Sequence, residues 1–301
     1  ESQKSSSAHR YFFYCYKDFS YLKVEETKGR KVMEKEIITV FCICDEITQA
    51  LKIIEDPQVK MTNSEIMTTA LVSMLYFSGN FEKGRDFLAE HGYISKSRFN
   101  RRIRAISESV WLCLFHLFAE TSKQNNLRDY IMDSFPIPVC DNIRISRCSI
   151  YNTEDYRGYI ASKRRYFFRL RVHMLVTKTG LPVEFLLTPG SYNDCRVLKQ
   201  FQLDIPENSF VFADKSYNDY SFEDVIADAL NVSLLPMRKK NSKRAFCGAT
   251  QFIQKVTRKR IETTFSQITS FFPKKIHAVT SYGFELKIVL FVLAFTFSCY
   301  F

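Results

Sequence analysis

Hydrophobic spacing divides the chain in two. From residue 34 to about 126, apolar positions recur with a helical period; from about 127 onward they alternate or gather in short blocks. Ile47, Leu51 and Ile54 stand at i, i+4 and i+7, one face of a helix. Glu65–Phe77 is dense in helix formers, with Asn63 or Ser64 placed to cap it. Gly79 and Asn80 interrupt the pattern. A second helix is predicted over Phe81–Glu90, stopping near His91 and Gly92, and a third starts at Ser95.

Beyond residue 127 the pattern predicts a mixed α/β domain. Asp129–Phe135 reads as a strand limited by Pro136, which cannot donate to a ladder. In Tyr166–Val176, Phe168, Leu170, Val172 and Met174 share one face while Arg169, Arg171 and His173 share the other. Lys178, Thr179 and Gly180 form a turn, and Pro182–Thr188 is the returning strand of a hairpin. A short helix over Asn193–Phe201, a buried strand over Ser209–Ala213, a helix over Tyr220–Leu230 and a strand over Val232–Leu235 follow. The chain then reads as a long helix, Phe252–Phe272, ended by Pro273, and a last helix, Phe284–Phe301. The apolar run Ile288–Phe301 falls short of the roughly 20 residues a membrane span needs. It predicts a core helix and no membrane partner.

Residues 1–32 look unlike the rest, and Met33 opens the regular pattern. That segment reads as an upstream or appended extension, with no signal-peptide arrangement. The expected division is 1–32 extension, 33–126 helical DNA-binding domain and 127–301 catalytic domain ending in an apolar helix.

Charge narrows the function. The chain carries 43 Lys and Arg against 32 Asp and Glu, a formal net charge of +11, which points to a polyanionic partner. Nine cysteines are scattered without a CxxC pair, so free thiols in a reducing cytoplasm are expected rather than a disulfide framework or a zinc site. With nine glycines, a Gly-rich phosphate loop is not in prospect.

The candidate chemistry rests on three acids. Asp133 follows the apolar Tyr130-Ile131-Met132, Asp214 follows Phe210-Val211-Phe212-Ala213, and Glu262 lies on the long basic helix. Two strand-end carboxylates and one from a later helix can hold divalent ions that clamp the attacking and leaving oxygens of a phosphodiester. On the helix, Ile261, Phe265, Ile268 and Phe272 mark the buried face; Glu262 lies beside it, and Arg258 one turn before could orient Glu262 or hold a phosphate. Alone, Arg258 and Glu262 read as a surface ion pair; the two aspartates in the right order change that. Asp141, Glu154, Asp155, Asp194 and Asp219 compete, Asp194 reading better as a cap or first-turn acid, and His173 as a satisfied sheet histidine. The candidate DNA contacts are Arg98, Arg101 and Arg102 on the third helix; Lys163, Arg164 and Arg165; Lys215 and Tyr217 beside Asp214; Arg238, Lys239 and Lys240; and Arg258. Tyr217 is the aromatic expected near DNA.

The element order from 127 to 272 resembles the ribonuclease H-like fold, a mixed five-stranded sheet flanked by helices in which the first and fourth strands are neighbours. The motifs resemble DDE transposases of bacterial insertion sequences, most closely the insertion-sequence 982 family. They are Met132-Asp133-Ser134-Phe135-Pro136-Ile137-Pro138-Val139, Arg171-Val172-His173-Met174-Leu175, Leu187-Thr188-Pro189-Gly190-Ser191-Tyr192-Asn193-Asp194, Ala213-Asp214-Lys215-Ser216-Tyr217-Asn218-Asp219 and Arg260-Ile261-Glu262-Thr263-Thr264-Phe265-Ser266. The resemblance implies that Asp133, Asp214 and Glu262 are a catalytic triad binding Mg2+, with Mn2+ able to substitute. It implies double-stranded DNA partners, namely the element's terminal inverted repeats and target DNA, a homodimer in the active complex, and a bacterial, nucleoid-associated location. Two features depart from related transposases. In their Tyr-x2-Arg-x3-Glu-x6-Lys signature, Arg258 and Glu262 fit while Lys255 and Thr269 replace the Tyr and the Lys, and Ala213 replaces the usual Gly.

The expected activity is therefore metal-dependent cleavage at element ends followed by strand transfer. The alternatives are a non-catalytic DNA-binding protein derived from a transposase and a nuclease of the same fold.

Overall fold

The computed structural model describes residues 28–89, 94–124, 128–141, 150–151, 153–160, 165–273 and 275–301. Contacts group the chain into two compact units, 1–39 and 40–301; the described part of the first is the opening half of one helix. That helix, α1 (Lys28–Ala50), takes in the last five residues of the segment set apart by composition.

In the second unit, α2 (Asn63–Phe77), α3 (Phe81–Phe87), α4 (Lys96–Ala105) and α5 (Glu108–Gln124) precede the sheet. The cap of α2 is Thr62 rather than Asn63 or Ser64. Its hydroxyl accepts from the Glu65 N–H at 3.2 Å while the Glu65 carboxylate accepts from the Thr62 N–H at 2.6 Å, a reciprocal box. α2 ends through Ser78 and Gly79, both with positive φ. A Cβ at Gly79 would stand 2.7 Å from the Phe291 ring, so glycine is needed there for space as well as for conformation.

The sheet has six strands: β1 (Asp129–Asp141), β2 (Arg157–Ile160), β3 (Arg165–Thr177), β4 (Pro182–Pro189), β5 (Phe210–Ala213) and β6 (Ser233–Pro236). β1 lies between antiparallel β3 and parallel β5, and β6 continues beyond β5. The outer edge of β3 is shared: β2 pairs its first residues and the hairpin partner β4 pairs the rest. The expected five positions are present, and β2 is an addition to them.

β1 does not stop before Pro136. It runs through Pro136 and Pro138 to Asp141, paired with β3 along its length apart from an irregularity between Pro138 and Cys140. Backbone parity explains this. The Arg128 carbonyl accepts from the Phe210 N–H and the Asp129 carbonyl from the Lys178 N–H, so even-numbered residues of β1 face β5 and odd ones face β3. Pairing with β5 ends at Met132. Pro136 and Pro138 therefore lack a donor only on a side where no strand needs one.

Helices α6 (Asp194–Leu198), α7 (Tyr220–Leu230), α8 (Gly248–Phe271) and α9 (Ser281–Ser298) complete the fold. One sheet face packs Tyr130, Met132, Val211, Ala213 and Leu234 with Val197 of α6 and Ile226 of α7. On the other side, Phe135 of β1 meets Phe265 of α8 with ring centroids 4.7 Å apart. α9 is long and apolar enough to cross a membrane by length and composition. Here Phe284, Ile288, Leu290, Phe291, Val292, Leu293 and Ala294 are buried in the protein, and Phe297 packs on Phe118 of α5 at 4.5 Å.

Candidate active site

The site forms where β1 and β5 stop being paired. Met132 is opposite Ala213 in the last parallel rung, so the next residues, Asp133 and Asp214, leave adjacent strands side by side. Tyr130, Ile131 and Met132 before Asp133, and Val211, Phe212 and Ala213 before Asp214, are buried, which places the strands; the acids are the first positions beyond the β1–β5 ladder, while Asp133 still pairs with Met174 of β3. After Asp214 the chain makes a 3-10 turn, Lys215–Tyr217, in which the Tyr217 N–H donates to the Asp214 carbonyl at 3.1 Å.

Arg258 of α8 bridges the two acids. Its Nη2 is 3.4 Å from Asp133 Oδ2 and its Nη1 is 3.0 Å from Asp214 Oδ1, while Nη1 also touches the Met237 sulfur at 3.4 Å. The Ser134 N–H donates to Asp133 Oδ1 at 2.8 Å. Burial pushes the Asp133 carboxyl above its ordinary range, and the neighbouring Asp214 charge pushes the same way; the Ser134 N–H and the Arg258 guanidinium pull it down.

Glu262 is one turn beyond Arg258 on α8 and exposed. Among the described residues no hydrogen bond or ion pair engages its carboxylate, and no group of three or more acidic, His or Cys side chains is gathered closely enough to hold a metal. Asp133 and Asp214 have the hard oxygen donors that Mg2+ favours. Their shared counter-ion here is Arg258, and the third carboxylate stands apart from them.

A polar platform supports this end of the sheet, and sequence reasoning read only part of it. His173 is fully buried; its Nδ1 lies 3.0 Å from the Tyr217 hydroxyl and its Nε2 3.1 Å from the Thr188 hydroxyl. Beside it Arg171 pairs with Asp194 at 2.6 Å. Asp194 is thus a first-turn acid and an ion-pair partner, with Asn193 as the cap of α6.

Several expected DNA contacts must be corrected. Tyr217 is wholly buried and bound to His173, so it cannot stack on a base. Arg238 is 8% exposed and closes a two-point bond with the equally buried Glu223. Glu223 lies three residues before the buried Ile226 on α7, the spacing that turns its carboxylate inward to Arg238. Arg102 turns inward to the Met61 carbonyl and the Asn63 side chain, each at 2.8 Å. Arg98, Arg101, Lys215, Lys239 and Lys240 are exposed and open to a ligand. Lys163 and Arg164 lie outside the described residues, and Arg165 opens β3. Of the competing acids, Asp219 pairs with Lys199 at 2.8 Å and Glu154 with Arg157 at 3.3 Å.

Comparison with curated proteins and with solved structures finds no match. A family model described as a transposase DDE domain matches residues 123–277, just over half of the chain. The match begins at the end of α5, contains the whole sheet, both aspartates and α8, and ends before α9. Strand order, the paired carboxylates and this match agree: the chain belongs to the transposase DDE domain family.

Proposed function

We propose that this chain cleaves DNA at the ends of an insertion sequence and joins the freed end to target DNA, with Asp133, Asp214 and Glu262 as its catalytic acids. The observation that carries the reading is the meeting of Asp133 and Asp214 at adjacent strand ends, facing a basic helix that also carries Glu262. A transposase domain has DNA as its substrate. Mg2+, or Mn2+ in its place, would supply charge neutralisation at the reacting phosphodiester. Asp133 and Asp214 would hold it. Arg258 keeps the two carboxylates together beforehand and, released from them, is within reach of a phosphate oxygen. Glu262, one turn beyond Arg258 on α8, would complete the set of acids. Residues 33–126 act as a DNA-binding domain through Arg98 and Arg101, and two copies of the chain bring two element ends together. The motif match to the insertion-sequence 982 family supports terminal inverted repeats as the cleaved sequence.

Arg258 pairing with both aspartates also favours a second reading, a DNA-binding derivative that no longer cuts. One experiment separates them. Labelled element-end duplex is incubated with wild type and with Asp214→Asn in Mg2+. The cleaving reading expects a loss on the order of 10³-fold, about 4 kcal/mol of barrier, with duplex affinity retained. Equal cleavage by the two proteins sinks the assignment, and no cleavage by wild type supports the derivative.

A further inference from the structure

Away from the acids, a cleft of about 920 Å³ opens among the end of α2, α3, α4, the start of α9 and residues 273 and 275–279 after α8. Five cations line it, Arg85, Lys96, Arg104, Lys275 and Lys287, against one acid, Glu82. Glu82 is taken by Lys96 at 3.1 Å. Arg104 and Lys275 are exposed and have no acidic partner among the described residues. Arg104 lies against the first turn of α9, where a Cβ at Gly283 would come 3.4 Å from its Nη2 and 3.1 Å from the Thr280 hydroxyl. The missing side chain at Gly283 leaves the helix start open beside the guanidinium. Lys287 is held in place, donating to the His277 carbonyl at 2.9 Å with its ammonium 5.0 Å from the Phe81 ring centre.

We infer that this cleft is a second DNA-backbone site, gripping the phosphodiester chain of the same duplex whose scissile bond lies at Asp133 and Asp214. The inference rests on the proposed DNA-cleaving function and names a surface that function did not use. Charge decides the occupant. A concave surface with several cations and one neutralised acid suits a polyanion, and phosphate contacts of this kind fix register rather than sequence. Distance fits as well. From Arg258, α8 continues to Phe271, and Pro273 of the cleft stands two residues beyond its end. At 1.5 Å per residue that is about 20 Å from the acids. On a duplex lying along α8, with one phosphate per 3.4 Å on each strand, the cleft would meet the backbone about six base pairs from the reacting bond.

The test uses the full chain and a 30-base-pair duplex, with affinity measured by fluorescence anisotropy over a salt series. The variant Arg104→Gln/Lys275→Gln removes two charges, and Arg104→Lys/Lys275→Arg keeps them. Two phosphate contacts predict a log–log salt slope shallower by about 1.8 in the neutral variant, restored in the charged one. Phosphate ethylation about six base pairs from the nick should impair binding of wild type but not of the neutral variant. An unchanged slope in the neutral variant overturns the inference, as does a slope that the charge-keeping variant fails to restore. If a poly-glutamate peptide binds wild type and loses binding in the neutral variant while the DNA slope stays put, the cleft belongs to an acidic protein instead. Cleavage by Asp214→Asn would count against the proposed function alone, because the slope does not depend on cutting.

Discussion

Two arginines, 20 positions apart, hold carboxylates in opposite ways. Arg238 and Glu223 form two bonds of 2.7 and 2.6 Å with side chains 8% and 7% exposed. The Arg238 guanidinium also bonds Asn218 at 2.7 Å and lies between the rings of Tyr220 and Phe246, 5.0 and 4.6 Å away. Both terminal nitrogens are used, and the pair fastens α7 to the loop after β6. Arg258 instead divides itself between two aspartates from different strands, at 3.0 and 3.4 Å, with all three side chains partly open to solvent. The residue types are alike. The closed pair acts as structure, while the open trio can exchange one partner for another without unfolding anything.

The largest effect should come from breaking the closed pair. Glu223→Gln leaves the Arg238 charge buried, and such a loss costs about 3–5 kcal/mol. Urea unfolding of the variant should show it; a change under about 1 kcal/mol would erase the contrast. Next is the platform under the open site. Burial lowers His173 to a pKa of about 4, with the Arg171 charge lowering it further and the Asp194 carboxylate, 3.7 Å away, opposing. A histidine kept neutral when folded stabilises above its unfolded value near 6.5 and loses that contribution as pH falls toward 4. The loss across that window is about 3 kcal/mol. It should be missing in His173→Gln when the two proteins are unfolded at several pH values.

A smaller change is expected for Tyr217→Phe. It strips His173 Nδ1 of its partner and should cost about 1–2 kcal/mol in denaturant while duplex affinity stays at the wild-type level. A drop in affinity would return Tyr217 to the DNA surface. The smallest stability effect belongs to Arg258→Ala, under about 1 kcal/mol, because the pairs it breaks are part-exposed. Calorimetry should show tighter Mg2+ binding in that variant, since the two carboxylates lose their resident cation. Unchanged or weaker Mg2+ binding would mean that Arg258 does not compete for the same oxygens.

The acids at the strand ends were legible because their positions follow from local pattern: a buried apolar run ending in a carboxylate is a costly arrangement unless it is used. The helices were legible for the same reason, and Tyr220–Leu230 agrees residue for residue. What pattern hides is which side of a strand is paired. Pro136 and Pro138 look like a stop until β5 is seen to end at Met132. Burial of polar residues is hidden too. Tyr217 and Arg238 have the composition of a DNA surface, and only the partners brought by distant segments, His173 from β3 and Glu223 from α7, turn them inward. Glu262 could be named from its helix but not oriented, since an exposed face leaves its side chain unconstrained.

Beyond the last rung with β5, the free margin of β1 faces the acids with three successive positions, Ser134, Pro136 and Pro138. The Ser134 N–H is turned onto the Asp133 carboxylate, and the prolines have none to give. A stray extended segment, from this chain or another, would find no donors there to zip onto. The sheet cannot grow across the end that carries the two aspartates. The same prolines that look like a broken strand in one dimension thus leave that margin without donors in three, and replacing both would offer another strand the donors it needs to pair there.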